Sequence, residues 1–95
     1  MPLPLAGLCM SPLTDMLFEG ESVLKNQERD WITPGQLHAI RTIYLADHDA
    51  KDPLASPVYA RLAGIPRLYV QAGTHELLVS DIGAFVDRAR WAGVP

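Results

Sequence analysis

The sequence lacks the features that mark several large functional classes. Its single cysteine, Cys9, excludes an intrachain disulfide and a cysteine-rich metal cluster. Lysine and arginine total 8 against 11 acidic residues and form no basic stripe, so nucleic acid is not an expected partner. No apolar run reaches the roughly 18 residues of a transmembrane helix. Glycine-rich phosphate loops are absent too, and we expect no nucleotide cofactor.

The first residues and the overall composition point to a folded domain. Residues 1–5 contain two prolines and no positive charge, which does not fit a signal peptide. A lone cysteine is compatible with a reducing compartment, so a cytoplasmic location is expected. Apolar residues make up 48% of the chain, which argues against disorder. At 95 residues the chain is long enough for one small domain with a marginal core.

Two segments predict β-strands. Residues 5–10 form a nearly continuous apolar run, which is typical of a strand buried on both faces of a parallel sheet. Residues 67–73 are rich in aromatic and β-branched side chains and predict the second strand. Between them, residues 13–33 lack a clear period and predict an irregular excursion with a short helix near 20–26.

Two longer helices are predicted from capping and periodicity. Thr33, Pro34 and Gln36 form a helix start with a capping box, and the helix should end near residue 46. Ser80 or Asp81 is the expected cap of the last helix, and Gly93 its end. The predicted apolar faces are Leu37, Ile40, Ile43 and Tyr44 in the first helix, and Ile82, Phe85, Val86, Ala89 and Ala92 in the second.

The order strand, helical excursion, strand, helix predicts an α/β fold with two parallel strands joined by a crossover. A sheet of two strands leaves both outer edges unpaired. We therefore expect the chain to be part of a larger unit and to offer its sheet edges for pairing. Trp31 and Trp91 are expected to be packing residues.

Nucleophile and metal motifs are missing. None of the serines lies in a Gly-x-Ser-x-Gly turn, and a structural role is expected for each of them: Ser11, Ser22, Ser56 and Ser80. His48 lies between two aspartates but has no second histidine at helical spacing, so no metal site is predicted.

One acidic residue stands where α/β proteins place their sites. Glu76 follows Gly73, Thr74 and His75 directly after the second predicted strand. Ligands of open α/β sheets bind beyond the carboxyl ends of the strands, and an acid there can orient a histidine. From the residues alone, a solvated turn carboxylate remains the alternative.

A series of segments resembles the hormone-sensitive-lipase-like esterases, the "alpha/beta hydrolase fold-3" group. They lie in the family order along almost the whole chain. They are Ser-Pro-Leu-Thr-Asp at 11–15, Gly-Glu-Ser at 20–22 with Asn26 and Asp30, Asp-Pro-Leu-Ala-Ser-Pro-Val-Tyr at 52–59, Gly-Thr-His-Glu-Leu-Leu at 73–78, and Asp81 with Arg-Ala-Arg-Trp-Ala-Gly-Val at 88–94.

The resemblance implies hydrolysis of acyl esters by a serine nucleophile, a histidine base and an orienting carboxylate. Residues 1–95 would be a partial domain, with the sixth and seventh strands of the family sheet. The excursion at 13–50 would be cap-like, and its helix from about 34 to 46 would belong partly to the cap over the acyl pocket. Glu76 would be the triad acid, with His75 in the usual aspartate place and Asp81 as the fallback.

The same resemblance implies that catalytic parts are missing from this sequence. The nucleophile elbow, the His-Gly-Gly oxyanion motif and the Pro-x-x-His segment of the base are absent. We therefore expect a fragment that is inactive alone. The alternatives are a non-catalytic α/β interaction module, or a truncated-gene product that needs a partner chain, and, more weakly, a small ligand-binding domain.

Overall fold

Two parallel strands form the sheet in this computed structural model, which describes residues 3–95. Met1 and Pro2 lie outside the described residues. They belong to the segment 1–5 that was predicted not to be a signal peptide. Strand β1 is Ala6–Met10 and strand β2 is Arg67–Gln71, with Ala6 opposite Arg67 and Met10 opposite Gln71. The predicted α/β fold with two parallel strands is confirmed. Because the strands are parallel, their carboxyl ends lie side by side.

Three α-helices and one 3₁₀ turn complete the described fold. Helix α1 is Glu21–Lys25 and helix α2 is Pro34–Leu45, both in the crossover between the strands. The 3₁₀ turn Pro57–Tyr59 precedes β2, and helix α3, Val79–Trp91, follows it. The short helix predicted near 20–26 is therefore confirmed.

The start of α2 follows the predicted capping box. The Thr33 N–H donates to Gln36 Oε1 at 2.9 Å, and the Gln36 N–H donates to Thr33 Oγ1 at 3.2 Å. Pro34 occupies the first helical position, where its missing N–H is not needed. These local interactions explain why the first residue of the helix was predictable from sequence.

The predicted apolar face of α2 is largely wrong. Leu37 and Leu45 are buried, but Ile40, Ile43 and Tyr44 are exposed, Ile43 to 82%. The helix packs through Leu37 and Leu45, two turns apart, against the cluster that contains Met16, Phe18 and Val23. No described element covers its other apolar side.

The prediction that the first strand is buried on both faces is also wrong for the described residues. In both strands, exposed residues alternate with half-buried ones. Leu8, Met10 and Tyr69 are more than 60% exposed on one face. The other face is half-buried, and Leu68 packs against the core that α3 helps to form. One face of this sheet therefore has no covering layer among residues 3–95.

Helix α3 begins before the predicted caps. Its N-cap is Leu78, which makes no side-chain capping bond, and Ser80 and Asp81 lie in the first turn. Their side chains face other parts of the fold instead of the helix terminus: Ser80 Oγ accepts from the Ser22 N–H at 3.0 Å. The end is as predicted, because Gly93 has φ +84 and the Val94 N–H bonds the Ala89 carbonyl at 3.0 Å.

Two apolar clusters form the core of the described chain. The first joins the excursion, α2 and the turn before α3; the second joins the 3₁₀ turn, α3 and the chain end. Their buried members are Met16, Phe18, Val23, Leu37, Leu45 and Leu77 in the first, and Val58, Leu62, Phe85, Ala89 and Val94 in the second. Leu77 is completely buried, which fixes the position of its neighbour Glu76 in the chain.

Truncation of Leu77 should destabilise the chain far more than truncation of an exposed leucine. We expect Leu77→Ala to lower the free energy of unfolding by about 2–5 kcal/mol, since it removes buried methyl groups and leaves a cavity. The control Leu54→Ala, at a side chain that is 92% exposed, should change it by less than about 0.5 kcal/mol. Urea denaturation followed by circular dichroism measures both. Equal losses would contradict the described core.

Candidate active site

Glu76 lies beyond the carboxyl end of β2, in the turn that leads into α3. Ser11 follows β1 directly, at the neighbouring strand end. The Ser11 hydroxyl donates a hydrogen bond to Glu76 Oε1 at 2.6 Å. The two side chains are 65 residues apart in sequence, and the parallel register brings them together.

Ser11 adopts a backbone conformation that non-glycine residues rarely take. Its φ is +49, and its N–H donates to the Gln71 carbonyl at 2.7 Å, continuing the strand pairing by one residue. Left-handed backbone at a non-glycine residue carries strain and concentrates at functional sites. Sequence reasoning gave Ser11 a structural role only. The adjacency of parallel strand ends was the signal that pairs it with Glu76.

The Glu76 carboxylate has unused hydrogen-bonding capacity. Its side chain is half-buried, and its Oε2 atom is covered and has no hydrogen-bond partner among residues 3–95. A carboxylate offers about four lone-pair positions, and the Ser11 hydroxyl occupies one of them. The arrangement can therefore accept a further N–H donor such as an imidazole.

His75 and Asp81, the other two residues considered for the position of the acid, lie in different surroundings. His75 is exposed beside Glu76. Asp81 is only 5% exposed and lies against Gly20, where any side chain would collide with its carboxylate. Within the described part of the chain, its Oδ2 has no hydrogen-bond partner. Asp81 is thus an interior residue that packs α3 against Gly20, the residue before α1, and it is not a helix cap.

Burial raises the pKa of Asp81 to about 6, and the negative charge of Asp15 adds to the increase, with a smaller contribution from Glu19. A backbone hydrogen bond from Gly20 opposes the shift. The carboxyl of Asp81 therefore binds a proton more tightly in the folded chain than in the unfolded chain.

A cavity of about 220 Å³ opens beside Glu76. This is smaller than the roughly 300–1,000 Å³ of a typical ligand pocket, so it suits a side chain or a short chemical group. Its lining consists of Ser11, Asp30, Trp31, Ile32, Glu76, Leu77 and Leu78. Trp31 is 88% exposed, so the expectation that it is a packing residue is wrong within residues 3–95, as it is for Trp91.

Three polar residues whose contacts were not predicted from the sequence hold the turn that carries Glu76. Ser22, Asn26 and Asp30 each bond its backbone through their side chains. They were noted only as part of a resemblance. The signal that could have found them is their spacing of four residues, which places polar side chains on one face of a helical segment.

Among residues 3–95, no group of three or more histidine, cysteine, aspartate or glutamate side chains is arranged to hold a metal ion. Within the same residues, none of the helices combines the length and apolar character needed to cross a membrane. The cytoplasmic location stays a prediction.

Comparison with known proteins decides the family. Residues 2–95 match the family model described as alpha/beta hydrolase fold. The chain belongs to this family. It is 38% identical to an acetyl-hydrolase from Streptomyces hygroscopicus, over 99% of this chain and 32% of that protein.

Solved structures place the chain among the hormone-sensitive-lipase-like esterases of the alpha/beta hydrolase family. It matches a hormone-sensitive lipase from a metagenome library with a TM-score of 0.94 at 35% identity. It matches an esterase of the bacterial hormone-sensitive lipase family with a TM-score of 0.94 at 44% identity. Each match covers 98% of this chain and 32% of the solved chain. The chain thus spans about a third of the length of these alpha/beta hydrolases.

The shifted pKa of Asp81 predicts a pH-dependent stability. A carboxyl whose pKa is raised on folding contributes stability that is fully present below about pH 3.8 and is lost as the pH rises through about 6. We expect Asp81→Asn, which removes the buried charge, to flatten the stability profile between pH 4 and 7. At pH 7 it should raise the free energy of unfolding by about 1–3 kcal/mol.

Urea denaturation at a series of pH values measures this effect. The control is Asp87→Asn, which removes an exposed carboxylate from the same helix and should keep the original profile. If Asp81→Asn leaves the slope between pH 4 and 7 unchanged, the pKa shift of Asp81 is refuted.

Proposed function

We propose that Glu76 is the acid of a serine–histidine–acid relay that hydrolyses carboxylic esters. The observation that carries this proposal is the Glu76 carboxylate itself, half-buried beyond the carboxyl end of β2 with acceptor positions unused. In such a relay the acid holds the histidine in the correct tautomer and stabilises the imidazolium that forms. The Ser11 hydroxyl, bonded to Oε1, would hold the carboxylate in one orientation.

The similar proteins support the substrate class. They are named acetyl-hydrolase, esterase and hormone-sensitive lipase, which are enzymes of acyl esters. The nucleophile and the base are not represented by motifs in this sequence: Gly-x-Ser-x-Gly and Pro-x-x-His are both absent. The chain would therefore act as the acid-bearing part of a hydrolase whose serine and histidine belong to the other two thirds of the fold.

The excursion at 13–50 is proposed to contribute to the cover of the acyl pocket. Its α2 helix exposes the apolar side chains of Ile40, Ile43 and Tyr44, which supports contact with further apolar groups. Exposed contiguous apolar side chains are uncommon on an isolated domain surface and mark interaction sites.

A second candidate role is association with a partner chain that supplies the remaining strands. The sheet has two strands among residues 3–95, so β1 and β2 each present one unpaired edge. Leu8, Met10 and Tyr69 form an uncovered apolar face beside these edges. Strand addition to such an edge is driven by backbone hydrogen bonds and burial of the face.

The acid role can be tested in a chimera. This chain replaces the matching third of the 44%-identical esterase, whose backbone it matches with a TM-score of 0.94. We expect the chimera to hydrolyse short acyl esters and Glu76→Gln to lower kcat by about 10³–10⁴-fold, the effect of losing an orienting acid. Steady-state kinetics with p-nitrophenyl butyrate measures the loss.

Two further variants of the chimera make the result specific. Glu28→Gln removes an exposed carboxylate from the crossover and should leave kcat unchanged. Asp81→Asn tests the fallback acid. A large loss in Asp81→Asn together with an unaffected Glu76→Gln would refute the role of Glu76 and transfer it to Asp81.

The 95-residue chain alone should not turn over esters, since a relay that lacks both nucleophile and base loses several orders of magnitude in rate. The purified chain is incubated with p-nitrophenyl acetate and butyrate at micromolar concentration. Hydrolysis above the buffer rate that is abolished by Glu76→Ala would contradict the proposal, because it would reveal a complete site within these residues.

A further inference from the structure

We propose that Ser22, Asn26 and Asp30 are positioning residues that fix the Glu76 carboxylate by holding the backbone on both sides of it. This inference rests on the proposed acid role of Glu76. It gives these residues of the crossover a specific role in the site.

Asn26 holds the backbone before and at Glu76. Its side-chain Nδ2 donates to the Thr74 carbonyl at 3.1 Å and to the Glu76 carbonyl at 3.0 Å. Asn26 is 7% exposed, so both bonds are shielded from water. One amide group thus clamps two carbonyl groups of the same turn, and both N–H donors of that amide are used.

Asp30 and Ser22 hold the next residue, Leu77. Asp30 Oδ2 accepts from the Leu77 N–H at 2.9 Å. The Ser22 hydroxyl donates to the Leu77 carbonyl at 2.6 Å and accepts from the Ser80 N–H at 2.9 Å. Both polar backbone groups of Leu77 therefore bond side chains from the crossover, while its own side chain is buried in the core.

The three positioning residues form one rigid face. The Asn26 N–H bonds the Ser22 carbonyl at 2.9 Å, and the Asp30 N–H bonds the Asn26 carbonyl at 3.1 Å. These bonds between residues four apart continue helical geometry beyond α1 and align the three side chains. The turn itself has few bonds of its own, such as Glu76 N–H to the Gly73 carbonyl at 3.2 Å. Its shape is therefore imposed by side chains 47 to 58 residues away in sequence.

Fixing this backbone matters because the glutamate side chain has three rotatable bonds. Its carboxylate can meet a histidine reproducibly only if the direction of its Cα–Cβ bond is constant. Displacement of a catalytic group by about 1 Å from a remote substitution can lower the rate about 10²-fold. If these hydrogen bonds only stabilised the fold, removing one of them would lower stability but would not change the position of the Glu76 carboxylate. The two cases can therefore be distinguished by experiment.

The first test uses the 95-residue chain and compares two buried serines. Ser22→Ala removes a hydroxyl from the turn, whereas Ser56→Ala removes an equally buried hydroxyl that bonds the Ala50 carbonyl at 2.6 Å and the Met16 N–H at 2.7 Å. We expect Ser22→Ala to speed hydrogen exchange of the Leu77 amide at least tenfold relative to core amides of α3, and to shift the Glu76 carboxyl resonance. Ser56→Ala should do neither.

Asn26→Ala is the second variant and keeps the test decisive if Ser22→Ala does not fold. It should produce the same two changes in the Leu77 amide and the Glu76 carboxyl signal. Unchanged exchange and unchanged carboxyl resonance in the folded variant would overturn the proposal.

The second test uses the esterase chimera and a double-mutant cycle. Asn26→Ala should lower kcat about 10–100-fold with little change in KM. In the Glu76→Gln background it should have no further effect, because the group that it positions is gone. An equal loss of kcat in both backgrounds, or none in either, would overturn the inference.

The chimera variants distinguish failure of the acid role from failure of the positioning role. If Glu76→Gln leaves kcat unchanged, the proposed acid role fails and the positioning role fails with it. If Glu76→Gln lowers kcat but Asn26→Ala does not, only the positioning inference fails. Ser56→Ala in the chimera is the matched control, since it should lower stability without lowering kcat.

Discussion

The complete burial of Leu77 is the constraint on which the rest of the site depends. This side chain lies in the core formed by the crossover, and it belongs to the residue after Glu76. A buried leucine brings its peptide groups out of water, and those groups must find partners. Ser22 and Asp30 supply them, so packing and hydrogen bonding fix the same turn. Because Leu77 is held in the core, the backbone that carries the Glu76 carboxylate is restrained as well.

Two buried carboxylate oxygens have no hydrogen-bond partner in the described chain. They are Glu76 Oε2 and Asp81 Oδ2. Such groups are costly to bury and call for a specific explanation. For Asp81 the reason is structural, since it fills the space left by the absent side chain of Gly20. For Glu76, at a strand end beside a cavity, the histidine of the proposed relay would be the missing donor.

The described chain leaves two apolar surfaces uncovered. It keeps the family geometry closely, with a TM-score of 0.94, over about a third of the solved chains. The outer face of the sheet and one side of α2 carry apolar residues that nothing in residues 3–95 covers. Within residues 3–95, only one face of the sheet has a covering layer.

The sequence by itself determined the features that depend on neighbours in the chain: two strands, the capping box of α2, the apolar face and glycine end of α3, and the place of Glu76 after a strand. Only the tertiary structure decided which side of α2 is buried, that one face of β1 is open, and that Asp81 is an interior residue. It also decided that Ser11 meets Glu76, and that Ser22, Asn26 and Asp30 hold its turn. The physical reason is range. Capping and periodicity act within a few residues, whereas these contacts join side chains and backbone 47 to 65 residues apart, and the parallel register and the packing of the crossover set them.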